Sequence, residues 1–169
     1  RLNSMYNLKL VNPAPEWAKG REVSDLLPNV HPDLRDKLYG YQWVDVAFTA
    51  ARLRHDGGCY LGWDRGLGKT LASIAVAKEL QADRIIIVTP NSSKDAVWRP
   101  ELEQWDIDHR WSGRVFNLQG NAEARDRVMK TWKHVGGVLL VHYEGLRLIN
   151  SRKKGKDTEI FNGFGEVDL

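Results

Sequence analysis

The chain has 169 residues, of which 42% are hydrophobic and 28% charged, with a formal net charge of +3. That is the length of one ordinary domain and too apolar for a disordered polymer. A single cysteine, Cys59, excludes an internal disulfide framework, and no apolar run approaches the ~18 residues that a spanning helix needs. The small basic excess favours polyanionic partners without demanding them.

Residues 1–32 carry "NPAP" and "LLPNVHP" and are read as an extended lead-in, or the end of a preceding domain, with at most short elements. From Asp33 the pattern changes. Leu34, Leu38, Tyr41, Val44, Phe48 and Ala51 recur every three or four residues up to Gly57-Gly58, which predicts one amphipathic helix with a glycine stop, interrupted at Gly40. "CYLG" (59–62) reads as a short strand, and Lys69 to Leu80 as a helix. "RIIIVT" (84–89) is a β-branched run suited to a strand buried on both faces. Ser92 to Trp105 reads as a helix capped by Ser92 or Ser93. "RVFNL" (114–118) is a strand, residues 121–134 a helix and "GGVLLVHY" (136–143) a further strand. Helices alternating with short apolar strands imply βαβ units around a mostly parallel sheet, hence an α/β fold. "NSRKKGKDTE" (150–159) reads as a polar loop, with the basic run at 152–156 solvated.

The chemistry concentrates in "LGWDRGLGKT" (61–70). Gly66, Gly68, Lys69 and Thr70 spell G-x-G-K-T between a predicted strand and a predicted helix. Glycines let successive N–H groups turn towards phosphate oxygens, and the helix start adds its positive end. Lys69 can reach the β- and γ-phosphates, and the Thr70 hydroxyl can ligate a magnesium ion. The bland alternative is a glycine turn that merely caps a helix. The stricter G-x-x-x-x-G-K-[ST] pattern wants glycine where Trp63 stands, and Trp63 is read as a packing residue on the loop's flank. Trp43, Trp98, Trp105 and Trp132 are read as core, the middle two because they lie seven apart on one helical face.

The flanks carry a resemblance. "LYGYQ" (38–42), "LGWDRGLGKT", "IIIVTPNSSKDAVWRPELEQW" (85–105) and "VLLVHYEGLRLI" (138–149) resemble, in order, the glutamine signature and motifs I, Ia and Ib of Swi/Snf-like DNA-translocating ATPases of helicase superfamily two. Members commonly lack the first loop glycine. The resemblance covers about Asp33 to the end, with His142 standing where threonine is usual. It implies a partial RecA-like P-loop NTPase lobe over 33–169, truncated before the Walker B strand, with ATP and Mg2+ as cofactors. Double-stranded DNA and a second RecA-like lobe in the same parent chain are the implied partners.

Carried over, the resemblance assigns the nucleotide to Tyr41, Gln42, Asp64, Arg65, Gly66, Leu67, Gly68, Lys69 and Thr70. Gln42 would read the adenine edge, Tyr41 or Arg35 would pack against the base, Lys69 and Thr70 would be the catalytic pair, and Thr70 the metal ligand. Pro90, Ser92, Ser93 and Lys94 would touch a DNA backbone, with His142 and Tyr143 on the same face. The expected compartment is the cytoplasm of a prokaryote or phage host, or the nucleus of a eukaryote. An unwinding helicase, a restriction-type translocase, a simple P-loop kinase and a non-enzymatic binding fragment are the rival readings. No D-E-x-H or D-E-x-D occurs in the sequence, and the closing "GFGEVDL" reads as the start of a further strand. ATP turnover needs a carboxylate for the metal and an arginine from a second lobe. Residues 1–169 alone are therefore expected to bind ATP without hydrolysing it; steady-state turnover by the pure chain, abolished in Lys69→Ala, would overturn that expectation.

Overall fold

The computed structural model describes residues 23–149, 151–154 and 157–160, with side chains from 25 to 146. Most of the lead-in and the closing "GFGEVDL" lie outside the described residues. Two one-turn helices, α1 (Val23–Leu26) and α2 (Pro32–Arg35), precede the long α3 (Gly40–Asp56). The single helix expected from residue 33 is thus broken at 36–39. Tyr39 caps α3 with an extended backbone, and its N–H is accepted by the Gln42 Oε1 at 2.8 Å. The restart turns the inward face. Leu34 and Leu38 are buried as expected, but beyond the break Gln42, Val46, Thr49 and Ala50 point inward while Phe48 and Ala51 face out. Gly57 ends α3 at φ 70, its N–H bonded to the Leu53 carbonyl.

No strand forms at 59–62. Tyr60 is 89% exposed, and no described strand lies alongside to supply a ladder. The chain instead runs into the loop that opens α4 (Lys69–Glu79), followed by β1 (Arg84–Val88). The next helix starts at Asn91, with Pro90 at its cap and no side-chain cap bond, so neither serine plays the expected part. It comes in three pieces: α5 (Asn91–Ser93), a π-helical turn (Lys94–Trp98) and α6 (Arg99–Trp105). Pro100 has no N–H to give the carbonyl four residues back. The wider turn lets the Arg99 N–H reach the Lys94 carbonyl, five back, instead.

After β2 (Val115–Asn117), α7 (Ala122–Val135) leads into β3 (Gly137–Val141), and α8 (Tyr143–Ile149) follows. Asn121 caps α7 by accepting the Ala124 N–H at 2.9 Å. The stretch read as a polar loop pairs its backbone as an antiparallel ribbon, β4 (Ser151–Lys154) with β5 (Asp157–Ile160). Backbone pairing needs no apolar face, so composition was silent on it.

The three-stranded sheet is parallel in the order β1-β3-β2, with Arg84 opposite Gly137 and Val115 opposite Val138. The α/β expectation holds. β3, in the centre, is buried at all five positions, whereas edge strand β1 fully buries only Ile85. Alternation sends Val138 and Leu140 to one face with Ile74, Leu102 and Trp111, and Leu139 and Val141 to the other with Met129 and Trp132. At Gly137, φ is 99 and a Cβ would run into the Arg114 carbonyl, so only glycine can lead into this central strand.

A further cluster joins α3 and α4 to Leu27, Val30, Leu34 and Leu38. Leu27 and Val30, in the stretch read as lead-in, are 0% and 1% exposed. Nearby, the buried Glu79 carboxylate accepts the Asn29 N–H at 3.0 Å and Arg54 at 3.1 Å, tying segments far apart in sequence. On the other side of α4, the buried Lys78 ammonium is shared by Asp106 and Asp108 and lies 3.9 Å over the Trp111 ring. The second Asp106 oxygen accepts the Trp111 N–H at 2.8 Å. Desolvation pushes the Asp108 carboxyl up, but its hydrogen bond and charge contact with Lys78 outweigh this and hold it below the usual carboxylate range.

A depressed carboxyl stabilises the fold above its unfolded pKa and loses that contribution as pH falls through the folded value. Lys78→Met, which leaves Asp106 buried and unpaired, is expected to cost about 3 kcal/mol or more in denaturant unfolding at neutral pH. Asp108→Asn should flatten the acid limb of stability below about pH 5. An unchanged acid limb would remove Asp108 from this account.

Candidate nucleotide site and strand-end groove

Three elements build the loop site. Gly66 and Gly68 take φ of 81 and 76, values open to glycine, and α4 begins at the next residue. The loop's Leu67 carbonyl accepts two hydrogen bonds from α3, the Gln42 Nε2 at 2.9 Å and the Tyr41 hydroxyl at 3.2 Å. Gln42 is 1% exposed, and a Cβ on residue 68 would sit 2.5 Å from its Nε2. Its amide therefore braces the loop, with its oxygen already taken by Tyr39. Lys69 donates to the Trp63 and Asp64 carbonyls, both at 2.8 Å, so the loop's own backbone holds the ammonium.

Trp63 does more than pack. Its indole N–H donates to Asp45 on α3 at 2.9 Å, and its ring meets Tyr41 edge-on at 5.6 Å. Burial pushes the Asp45 carboxyl above its ordinary range, and the Trp63 hydrogen bond offsets part of this. The chain before the loop is thus pinned to α3 by side chains where the stricter pattern would use a glycine.

A cavity of about 530 Å³ opens beside the loop, lined by Arg65, Gly66, Gly68, Lys69 and Thr70 and, from α6, by Glu101 and Trp105. The expected residues come together with two exceptions. Asp64 contributes its carbonyl while its side chain is exposed, and no hydrogen bond joins Arg35 to the loop among the described residues. Glu101 and Trp105 were missed. The reading of Trp105 as a packing residue is borne out, since it is half-buried against two of the apolar clusters, and its N–H also donates to Glu101 at 2.7 Å on the cavity wall.

At the C-terminal ends of β1, β2 and β3 lies a second, 360 Å³ groove lined by Asn91, Gln119, Gly120, Arg125, His142 and Glu144. Only His142 among these was expected. Ligand sites of parallel sheets collect at strand ends, a signal that the sequence order of strand, short loop and helix already carried. Ser92 and Tyr143 are exposed nearby in sequence, Pro90 is exposed and Ser93 half-buried. Lys94 differs: it is 1% exposed and its ammonium is buried with no hydrogen-bond partner, so it is not presented to a backbone phosphate. The π-helical turn begins at Lys94 and carries it inward.

The fold and this loop define an α/β protein whose glycine-lysine-threonine turn opens a helix beside a parallel sheet. No family model matches the chain. Over 81 residues it is 36% identical to the DNA annealing helicase and endonuclease ZRANB3 of Mus musculus, covering 48% of this chain and 7% of that protein. Over 160 residues it is 28% identical to Protein CHROMATIN REMODELING 20 of Arabidopsis thaliana, covering 85% and 11%. Over 89 residues it is 36% identical to the SWI/SNF-related matrix-associated actin-dependent regulator of chromatin subfamily A-like protein 1 homolog of Caenorhabditis elegans, covering 52% and 12%. These relatives bear out the resemblance read from the motifs: the chain carries a Swi/Snf-like region of helicase superfamily two. It spans between 7% and 12% of their lengths. Among the described residues, no helix is long and apolar enough to cross a membrane.

Gly68→Ala would combine a positive φ, costing about 1–2 kcal/mol, with a collision against the Gln42 amide. We expect it to lower the melting temperature by several degrees; an unchanged melting temperature in the variant would show that the loop tolerates a side chain there.

Proposed function

We propose that this chain is the nucleotide-binding part of a DNA-dependent ATPase of the Swi/Snf kind, acting on double-stranded DNA with ATP and Mg2+. One observation carries the reading most: Tyr41 and Gln42 of the "LYGYQ" signature both hold the carbonyl of Leu67, in the G-x-G-K-T loop, 26 and 25 residues further on. Two motifs that resemble the same family thus act as one unit. A glycine turn that only capped a helix would not need a buried glutamine and a tyrosine to fix its carbonyl.

In this reading the triphosphate lies along Gly66 to Thr70. The N–H groups at the start of α4 face its oxygens, and Lys69 exchanges its two carbonyl partners for phosphate oxygens, which carry full charge. The donor set fits a nucleotide-borne magnesium ion only in part. Thr70 offers one hard oxygen, and no group of three His, Cys, Asp or Glu able to hold a metal occurs among the described residues. The ion would neutralise charge developing on the phosphates. Gln42 would act as loop brace first, and would read the adenine edge only by releasing Tyr39. The carboxylates and arginine needed for turnover would come from outside this chain, the arginine from a second RecA-like lobe of the parent.

At the strand ends, Pro90, Ser92, Ser93, His142 and Tyr143, joined by Asn91, Gln119 and Arg125, are the proposed track for a DNA backbone. Donors of this kind position a strand without reading its sequence. The proposed compartment is wherever the parent meets DNA, which is the nucleus if it shares the eukaryotic setting of the relatives above. The test is steady-state ATP hydrolysis by the full-length parent without nucleic acid and with single-stranded DNA, double-stranded DNA or RNA, beside Lys69→Ala. Stimulation by duplex DNA, lost in the variant, is expected. Stimulation by single strands or RNA alone would indicate an unwinding helicase, and turnover indifferent to nucleic acid would sink the proposal.

A further inference from the structure

We infer that Glu101 makes the loop site select metal-bound over metal-free nucleotide, an inference that rests on the nucleotide reading above. The cavity beside the loop holds two cationic side chains, Arg65 and Lys69, and one anionic side chain, Glu101. A carboxylate beside phosphates repels them at short range where solvent is partly excluded, unless a cation stands between the two.

Its neighbours show how carboxylates are otherwise treated in this fold. Glu79 is paired with Arg54, and Asp106 and Asp108 share Lys78. Glu101 has no cation against it among the described residues; its one hydrogen-bond partner is the neutral Trp105 indole, at 2.7 Å. That bond fixes one oxygen and the orientation of the group, while leaving its charge in place.

The backbone places it there. The π-helical turn at Lys94–Trp98 resets the helix before α6, so that Leu102 enters the core while Glu101 and Trp105 reach the cavity. Such turns recur at functional sites. A fully ionised, metal-free triphosphate meets the Glu101 charge directly. A divalent ion on the phosphates removes most of that repulsion and gives the carboxylate a cation, or its bound waters, to face. Glu101 thus penalises the free nucleotide more than the metal complex, acting on the phosphates through charge and not as a group that reacts.

The experiment titrates a fluorescent ATP analogue into the full-length parent, once with excess Mg2+ and once with EDTA, and compares the ratio of the two dissociation constants. Glu101→Gln keeps an acceptor for the Trp105 N–H and removes the charge. Glu103→Gln, on the exposed side of the same helix, controls for net charge. We expect Glu101→Gln to lower the EDTA-to-Mg2+ ratio about tenfold, mainly by tightening metal-free binding, with the Glu103→Gln ratio unchanged. Equal ratios in wild type and Glu101→Gln would reduce Glu101 to a structural partner of Trp105 and overturn the inference while leaving the nucleotide site standing. Absence of binding by the wild type in both conditions would overturn both.

Discussion

The Leu67 carbonyl is the point on which the loop depends. Glycines such as Gly66 and Gly68 leave many backbone conformations open, so contacts elsewhere must select one. Here α3 imposes it, through the Gln42 amide and the Tyr41 hydroxyl on one oxygen, and through Trp63 bonded back to Asp45. Gln42 is fixed in turn by the Tyr39 N–H at the start of its own helix. The break before Gly40 is therefore part of the site. A helix continuous from residue 33 would leave that N–H committed to the preceding turn and the glutamine oxygen without its donor.

The same economy governs α6. A proline inside a helical run ordinarily costs a hydrogen bond and a kink. Widening one turn restores a partner to the Arg99 N–H and changes which residues follow on each face. One consequence is the burial of the Lys94 ammonium, an expensive arrangement without a partner. Another is the exposure of Glu101 and Trp105 to the cavity. The turn moves charge inward at one end of the helix and outward at the other.

Much of this was legible in the sequence, and the failures have physical causes. The helix from Lys69, the alternation of strands and helices, and the parallel sheet follow from local pattern, because apolar periodicity and glycine placement act over a few residues. The grouping of Tyr41, Gln42 and the loop followed from a resemblance carried by motif order. Residues 59–62 failed as a strand because a ladder needs a neighbour, which local sequence does not specify. Phe48 and Ala51 were placed on the wrong face because periodicity was counted across the break at 36–39. Lys94 was misplaced, and the cavity positions of Glu101 and Trp105 were missed, because their facing is set by a turn of unusual width. The groove residues Asn91, Gln119 and Arg125 meet only when three strand ends are brought side by side.

The contact between Asn29 and Glu79 spans 50 residues, and it orders events in time. During synthesis the segment holding Leu27 and Val30 leaves the ribosome first, yet the surface it covers is completed only when the last turn of α4 has followed. Until then those two side chains have nothing of this cluster to bury themselves against, and non-local closure is the slower kind. The segment is thus left without its carboxylate partner until 50 further residues have been made.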